Sequence, residues 1–345
     1  MLPTRTGTIL KSIVEEYIVK AVPVPSQSIA NDPKLRVSPA TIRNEMAYLE
    51  QQGFIMRPHT SAGSVPSDKG YRYYVESLEN IKLPLDEQRM ISHLFHQVEQ
   101  ETERWLSLTA TILSRLVQNV ALVTTPKPLD CKFKHMELVA LQDSLALVIL
   151  VLQGAKIKQK LITFNQVVIQ PRLTTIANKL NTAYSDLTVQ KIKDKTVELS
   201  PTEQEITDHL VNMMQAEDEQ EYEEPYLDGM LFTLNQPEFA HSQRMQALME
   251  LIEHRHLLEI ISPRDPSQHG MQITIGKENK TDSFHNYSVV ISQYGLSGEA
   301  TGIIAVVGPT RMPYAHTIPT VKYLSMMLNR LVAALYGRET PVEES

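Results

Sequence analysis

The chain has little cysteine and no long hydrophobic run. One of its 345 residues is cysteine, Cys131, which excludes an intrachain disulfide framework and a cysteine-rich zinc site and favours a reducing compartment. No apolar core of a signal peptide follows the basic residues at the N-terminus, and the longest apolar run, 145–152, has the length of a strand rather than of a membrane span. The sequence therefore predicts a cytoplasmic protein without a membrane segment.

Motifs of enzyme chemistry are also missing. No glycine-rich phosphate loop follows a strand pattern, and neither a GxSxG elbow nor an HExxH pair is present. Two histidine pairs lack a carboxylate or thiolate at ligand spacing, so we interpret them as surface residues. They are His93/His96 and His254/His256. We therefore expect no catalytic residue, no metal and no cofactor.

The segment Gly308-Pro309-Thr310-Arg311-Met312 has two interpretations. It could be an anion-binding loop, but a lone arginine after Gly-Pro is a weak signal for that. We interpret it as a structural turn in which Arg311 pairs with a carboxylate or binds backbone carbonyls.

Charge is distributed unevenly along the chain. Residues 1–75 have a net charge of +3, whereas the whole chain has −7, which leaves −10 for the remainder. Basic charge is therefore concentrated in the first 75 residues, which favours a phosphate backbone as their partner, and the acidic remainder disfavours broad nonspecific binding. Because a single +3 module would bind DNA weakly at physiological salt, we expect at least a dimer.

Residues 37–75 are typical of a recognition helix followed by a two-stranded wing. Ser38 is a suitable N-cap, because its hydroxyl can accept a hydrogen bond from a free backbone N–H, and Pro39 fits the first helical position. Gly53 is a natural stop. Between these signals, a buried stripe recurs at helical spacing. It consists of Ile42, Met46 and Leu49.

The opposite face of this helix is small or polar, mostly toward the N-terminal end that a recognition helix presents to bases. Arg43 can bind a guanine edge, Asn44 an adenine edge, and Ala40 or Thr41 a thymine methyl; the sequence does not assign them to particular bases. Taken alone, the helix is better explained as an ordinary amphipathic helix with a solvated polar face. The segments on either side of this helix favour a role in DNA recognition.

Two helical segments precede it and a hairpin follows it. We expect a first helix over 9–19, a second over 26–31 with Ser26 as its cap, a strand over 54–57, a polar loop over 59–64 and a return strand from Val65. Three helices followed by a hairpin is the order of a winged helix-turn-helix. The candidate DNA-binding residues are Ser38, Ala40, Thr41, Arg43, Asn44, Arg57, His59, Thr60, Ser61, Ser64 and Arg72.

The rest of the chain predicts an α+β body. After Pro84, Asp86 is expected to cap one helix that continues past Trp105 toward Val120. Strands are predicted over 135–141, 144–152 and 155–164, and again over 271–276, 287–294 and 302–308, with a helix over 318–336. Antiparallel strands flanked by helices favour one sensor-like domain that is interrupted in sequence. The interruption contains predicted helices over 173–184 and 203–214 and an acidic run over 217–224, which we interpret as solvated.

At this point the sequence resembles a known family. SPATIRNEM, PHTSAG and GYRYYV in the N-terminal quarter, and VVGPTRMPYAHTIPTV over 306–321, are similar to segments of the HrcA family of bacterial heat-inducible transcription repressors. The resemblance implies a GAF-like body with an inserted segment that helps to dimerise. It also implies an inverted-repeat operator upstream of chaperone genes, release on heat stress and modulation by the chaperonin. Gln27 and Ser64 stand where the family usually has a basic residue, so each departure removes an expected phosphate contact.

The fold class expected from these observations is α+β, with an N-terminal winged helix-turn-helix and a GAF-like antiparallel-sheet domain. The expected domains are a winged helix (1–76), a connector helix (77–104), a first GAF-like segment (105–165), an inserted dimerisation segment (166–237), a second GAF-like segment (238–337) and a tail (338–345). The expected partners are double-stranded DNA, a second copy of the chain and the chaperonin. Two alternatives remain: a transcription regulator that senses a small molecule in its GAF-like domain, and an enzyme with an appended DNA module.

Overall fold

The computed structural model of the protein describes residues 2–32, 35, 37–59, 63–78, 81–98, 101–128, 130–154, 156–219, 224–239, 249, 270–296 and 300–338. These residues form a mixed α/β structure with antiparallel sheets. The chain divides into two compact units. The first contains Met1–Thr125, Glu224–Gln293 and Ile303–Met326, and the second contains Pro126–Glu223, Tyr294–Gly302 and Met327–Ser345.

The first unit begins with three helices and a short hairpin. The helices are α1 (Thr4–Lys20), α2 (Ser26–Ala30) and α3 (Pro39–Gln51). The antiparallel hairpin consists of β1 (Ile55–Met56) and β2 (Val65–Pro66), and α4 (Asp68–Glu76) follows it directly. The order of helices and hairpin is the one that the sequence predicts.

Helical spacing of apolar residues explains the core of this region. The buried side chains of α1 and α3 recur at intervals of three and four residues, so each helix presents one apolar stripe. They are Ile9, Leu10, Ile13 and Val14 on α1, and Ile42, Met46 and Leu49 on α3. The stripe predicted for α3 is confirmed.

Two local expectations in this region were wrong. Ser26 is the first residue of α2 and not its cap, because Pro25, in an extended conformation, already precedes the helix. The return strand has only two residues, and the GYRYYV segment lies in α4. The Ser67 side chain caps α4 by accepting a hydrogen bond from the Gly70 amide at 3.2 Å, which begins a helix where the wing was expected to continue.

The connector consists of two helices rather than one. They are α5 (Leu85–Gln97), preceded by Pro84, and α6 (Thr102–Val117). Asp86 lies inside the first turn of α5 and is not its cap. The backbone is extended at Val98 and at Glu101, which interrupts the helical hydrogen bonds that the apolar periodicity predicted to continue.

Among the described residues, the strands of the larger sheet are β3 (Val120–Val123), β4 (Lys127–Pro128), β8 (Tyr226–Asp228), β9 (Met271–Ile275), β10 (Tyr287–Leu296) and β11 (Ala300–Pro309). Five of them are paired in the order β8-β3-β11-β10-β9, and β4 also pairs with β11. Val120–Val123 and the middle of β11 are buried, as expected for strands in the centre of a sheet. α10 (Met230–Leu234) follows β8, and the long helix α11 (Tyr314–Leu335) follows β11.

Between Pro126 and Glu223, the described residues of the second unit form a separate three-stranded sheet and three helices. Its strands are β5 (Phe133–Gln142), β6 (Leu145–Leu152) and β7 (Ile157–Thr163), paired in that order. Its helices are α7 (Gln170–Tyr184), α8 (Val189–Asp194) and α9 (Pro201–Glu219). The three predicted strands are therefore confirmed. One face of the sheet packs with the helices in a core that includes Leu138, Val148, Ile162, Leu173 and Leu210.

This pairing differs from the expected division of the chain. We expected residues 105–165 to share one domain with 238–337, but β5–β7 form their own sheet, and Pro126–Glu223 belong to one unit. The acidic run also differs, because Glu217 is 4% exposed and pairs with Lys156 and, at 2.7 Å, with Lys158. Burial raises the pKa of Glu217, but the hydrogen bonds from both lysines outweigh that effect and lower it. Residues 220–223 lie outside the described part of the chain.

Candidate DNA-binding site

The helix α3 begins and ends where its sequence predicts. The Ser38 side chain accepts a hydrogen bond from the Thr41 amide at 3.2 Å, and Pro39 is the first helical residue. The Ser38 and Thr41 hydroxyls also lie 2.9 Å apart. At the other end, Gly53 has a φ of +74°, which glycine adopts at little cost. The predicted cap and stop are confirmed, and the Ser38 hydroxyl is committed to the helix end.

The outward face of α3 is available to a ligand. Ala40, Arg43, Asn44 and Ala47 are exposed, whereas Thr41 is half-buried. Within the part of the chain that the structure describes, neither Arg43 nor Asn44 forms a side-chain hydrogen bond or an ion pair. Their donors and acceptors are therefore free to bind a base edge or a phosphate.

A carboxylate on α3 holds this helix against α1. Thr6 donates a hydrogen bond to Glu45 at 2.7 Å, and Arg5 binds the other carboxylate oxygen at 2.7 and 2.9 Å. The pKa of Glu45 is lowered, most strongly by the Thr6 hydrogen bond and further by Arg5, against a smaller effect of burial. Sequence reasoning missed this contact, because the partners are about 40 positions apart and no local pattern marks them.

The base of the hairpin is fixed to the segment before α2. Val24 and Ser64 exchange two backbone hydrogen bonds of 2.8 Å. A Cβ at Gly63 would lie 2.5 Å from the Val24 carbonyl carbon, so only glycine permits this approach. The Ser64 side chain is 1% exposed. The expectation that residue 64 lies at a wing tip facing phosphate is therefore wrong, because the backbone pairing turns its side chain inward.

A cleft of about 370 Å³ lies between α2, α3 and the hairpin. Its lining combines two arginines with small and apolar side chains: Val24, Pro25, Ser26, Arg43, Met46, Arg57, Gly63 and Ser64. Arg57 pairs with Glu50 at 3.2 Å, and both side chains are more than a third exposed. Arg43 supplies the second positive charge, so the cleft can hold an anion beside the outward face of α3.

The remaining site predictions have different outcomes. His59 is exposed near the hairpin, and Thr60 and Ser61 lie outside the described residues. Arg72 is on α4, where its guanidinium binds the Glu278 carboxylate and the Ile273 carbonyl oxygen, so its donors are engaged within the chain. The expectation that Arg72 binds DNA is therefore corrected, because its guanidinium binds Glu278, 206 positions away in the same chain.

Metal-binding and membrane-spanning features are not found within the same described ranges. There, no group of three histidine, cysteine or acidic residues could hold a metal ion. His93 and His96 are exposed and form hydrogen bonds within their own helix, and His254/His256 lie outside those ranges. No helix in them is sufficiently long and apolar to span a bilayer.

Comparisons with known proteins agree with a regulatory role. A sequence profile described as "HrcA protein C terminal domain" matches residues 103–318. Two relatives are described as heat-inducible transcription repressor HrcA. One, from Dehalococcoides mccartyi, is 52% identical over 98% of each chain. The other, from Roseiflexus castenholzii, is 37% identical over 98% of this chain and 96% of that one.

A solved structure shares the fold. The crystal structure of a hypothetical protein at 2.2 Å resolution has a TM-score of 0.61 and 22% identity, and the match covers 97% of this chain and 98% of that chain.

The matching profile and the relatives define the class of protein, which is a transcription repressor and not an enzyme. The chain belongs to the HrcA family of heat-inducible transcription repressors and is a negative regulator of heat-shock genes.

Proposed function

We propose that this repressor binds an inverted-repeat operator as a homodimer, through an N-terminal winged helix, and leaves it on heat stress. The observation that carries the proposal is the pair Arg43 and Asn44, exposed and unbonded among the described residues, on the outward face of a capped helix. Arginine and asparagine are the side chains that bind guanine and adenine edges with two hydrogen bonds each. In this proposal α3 lies in the major groove.

Contacts with the DNA backbone would come from the hairpin and the start of α3. Arg57 is exposed and lines the cleft together with Arg43, and His59, two residues further along the chain, is also exposed. Such residues fix the position of the reading helix on the duplex without recognising sequence. Thr60 and Ser61 complete the proposed wing. Ser64 and Arg72 take no part in this proposal, because the chain itself engages or buries them.

An exposed apolar sheet face supports the homodimer. On β5–β7, the side opposite the helices carries Val139, Leu147 and Leu161, which are directly opposite one another on three neighbouring strands. Leu161 is 57% exposed and Ile157 is 60% exposed, whereas Ile162 on the same strand and the alternate residues Ala146, Val148 and Leu150 of β6 are buried. An apolar patch of this kind, bounded by polar residues, is typical of a protein interface. The dimer surface would then lie on 133–163 rather than only on the predicted 166–237.

Three further parts of the proposal rest on the family. The larger sheet with α6 and α11 would be a GAF-like domain, the protein would act in the cytoplasm, where bacterial DNA lies, and the chaperonin would restore repressor that heat has inactivated. The chaperonin proposal is tested by following operator binding through a heating step with and without chaperonin and ATP. Recovery only with chaperonin supports it, and full activity of the repressor alone contradicts it.

The operator proposal is tested by titrating the full chain against an inverted repeat from upstream of a chaperone operon and against a scrambled duplex. Sedimentation of the complex gives the number of protomers on each duplex. We expect two protomers on the inverted repeat and tighter binding by on the order of 10³ or more than to scrambled DNA. One protomer on the inverted repeat, or equal affinity for both duplexes, would contradict the proposal.

A further inference from the structure

One face of α4 is fixed to the edge of the larger sheet within the first unit. Arg72 donates from Nε to a Glu278 carboxylate oxygen at 2.8 Å and from Nη2 to the Ile273 carbonyl at 2.6 Å, and Nη2 also binds the second Glu278 oxygen. One turn earlier, Asp68 accepts a hydrogen bond from the Lys277 amide at 3.0 Å. Arg72 and Glu278 form a bidentate ion pair, and Arg72 has an additional backbone acceptor. This geometry fixes both the orientation of the guanidinium and its distance from the carboxylate.

The turn that receives α4 is shaped for this contact. Gly276 has a φ of +53°, and a Cβ there would lie 2.4 Å from the Asp68 carboxylate. Glu278 is itself oriented, because the Ile275 amide donates to its Oε2 at 2.8 Å. The backbone of its own turn thus orients Glu278, and the Ile273 carbonyl gives Arg72 a second acceptor on the sheet.

The N-terminal end of α4 binds the C-terminal end of α3. Ser67 donates from its hydroxyl to the Gly53 carbonyl at 2.7 Å, and Lys69 donates from Nζ to the Gln52 carbonyl at 2.9 Å. Lys69 also lies over the Phe54 ring, with 4.3 Å between Nζ and the ring centroid. A displacement of α4 would therefore displace α3.

A second arginine makes the reciprocal contact from the sheet side. Arg311, in the turn after β11, donates from Nη1 to the Ile18 carbonyl at 2.9 Å, in the last turn of α1. Its Nε and Nη2 bind the Glu238 carboxylate. The interpretation of this turn as structural, with Arg311 on a carboxylate and a backbone carbonyl, is thereby confirmed. Tyr71 and Tyr314 are both buried, with their ring centroids 6.1 Å apart.

We propose that Arg72 and Arg311 are positioning residues, which hold the reading helix α3 in one orientation on the sheet and so determine the half-site spacing that the repressor accepts. This inference rests on the proposed operator binding as a dimer. In a dimer, binding of one reading helix increases the affinity of the second only when the geometry allows both helices to bind their half-sites at once. A fixed orientation of the helices therefore selects one half-site spacing. A loosely attached DNA-binding module would accept several half-site spacings.

The test uses the full chain and a series of operators in which base pairs are inserted between the half-sites. The variants are Arg72→Gln and Arg311→Gln. Arg89→Gln is the matched control, because Arg89 is 79% exposed and its ion pair, with Asp86, lies within its own helix. An isolated half-site measures the reading helix alone. Hydrogen exchange at the Lys277 amide, without DNA, measures the attachment of α4 to the sheet.

For the wild type we expect a preference for one spacing by on the order of 10². Each positioning variant should reduce that preference to a few-fold while half-site affinity stays within about twofold, and Arg72→Gln should accelerate exchange at Lys277. An unchanged spacing preference in both variants overturns the inference. A loss of half-site affinity as large as the loss of affinity for the full operator also overturns it, because the variants would then have damaged the reading helix itself. If the wild type shows no spacing preference, the operator proposal fails, and unchanged exchange in Arg72→Gln then separately refutes the positioning role.

Discussion

Thr6 and Glu45 join the first helix to the reading helix through a hydrogen bond of 2.7 Å. This bond is the largest cause of the lowered pKa of Glu45, and Arg5 adds to it. The side chain of Glu45 is 13% exposed, so the contact lies at the edge of a small core. It links the ionisation of one carboxylate to the position of the helix that carries Arg43 and Asn44.

We expect Glu45→Gln to remove a pH-dependent part of the stability. A carboxylate whose folded pKa is lowered stabilises the native state above its unfolded pKa, about 4.3 for glutamate, and this contribution is lost as the pH falls through the folded pKa. The wild type should therefore exceed Glu45→Gln in melting temperature at pH 7, and the difference should shrink below about pH 4.3. Thermal melts of both chains from pH 7 to 3.5 measure this. A difference independent of pH would contradict the assignment, and Glu205→Gln, on α9 of the second unit, is the control.

Arg43→Ala and Asn44→Ala should each reduce selectivity more than affinity for scrambled DNA. A base-edge contact discriminates by roughly 1 to 3 kcal/mol, whereas nonspecific binding depends mainly on phosphate contacts. Titration of operator and scrambled duplex side by side gives both quantities. Gln51→Ala, exposed at the far end of the same helix, is the control and should change neither. Equal losses on both duplexes would show that the residues bind phosphate or only support the helix.

Ser64→Arg and His59→Arg should have opposite effects. Ser64 is buried, so the larger side chain should cost about 1 to 3 kcal/mol of stability or more and weaken DNA binding. His59 is exposed, so an added charge there should steepen the dependence of log K on log salt by about 0.9 per phosphate contact. Melting temperature and a salt series distinguish the two. A stable Ser64→Arg chain with a steeper salt dependence would show that residue 64 does face the phosphate backbone.

Leu161→Glu should weaken self-association by on the order of tenfold or more, because it places a charge in the proposed apolar interface. Leu231→Glu is the matched control, since Leu231 is 75% exposed but lies on α10 of the first unit and is not part of the sheet β5–β7. Sedimentation equilibrium of both chains and of the wild type gives the dissociation constants. If Leu161→Glu remains as dimeric as the control, the dimer surface lies elsewhere.

Cys131 should react slowly with alkylating agents in the folded chain. Burial, followed by the Asp218 side chain, raises the pKa of this thiol to about 12. At pH 8 the folded chain should be alkylated slower than the urea-unfolded chain by on the order of 10³, because only the thiolate reacts. Mass spectrometry of the time course checks this. Comparable rates would show that the segment around Cys131 opens readily.

Local chemistry made several elements predictable from the sequence. Ser38, Pro39 and Gly53 define α3 because capping, the missing proline donor and a positive φ are properties of single residues and their nearest neighbours. The strands β5–β7 were predictable for a similar reason, since apolar runs of strand length separated by turns need only short-range information. The break between α5 and α6 was missed, because apolar periodicity continues across it.

The tertiary structure alone decided which residues are free to bind DNA. Arg43 and Arg72 look alike in sequence, but Arg72 binds Glu278, 206 positions away, and Arg43 has no partner among the described residues. Ser64 follows a turn in sequence, yet its pairing with Val24 buries it. Sheet membership was equally undetermined, because a strand's hydrogen bonds join any compatible edge, and burial of apolar faces over the whole chain selects the partner.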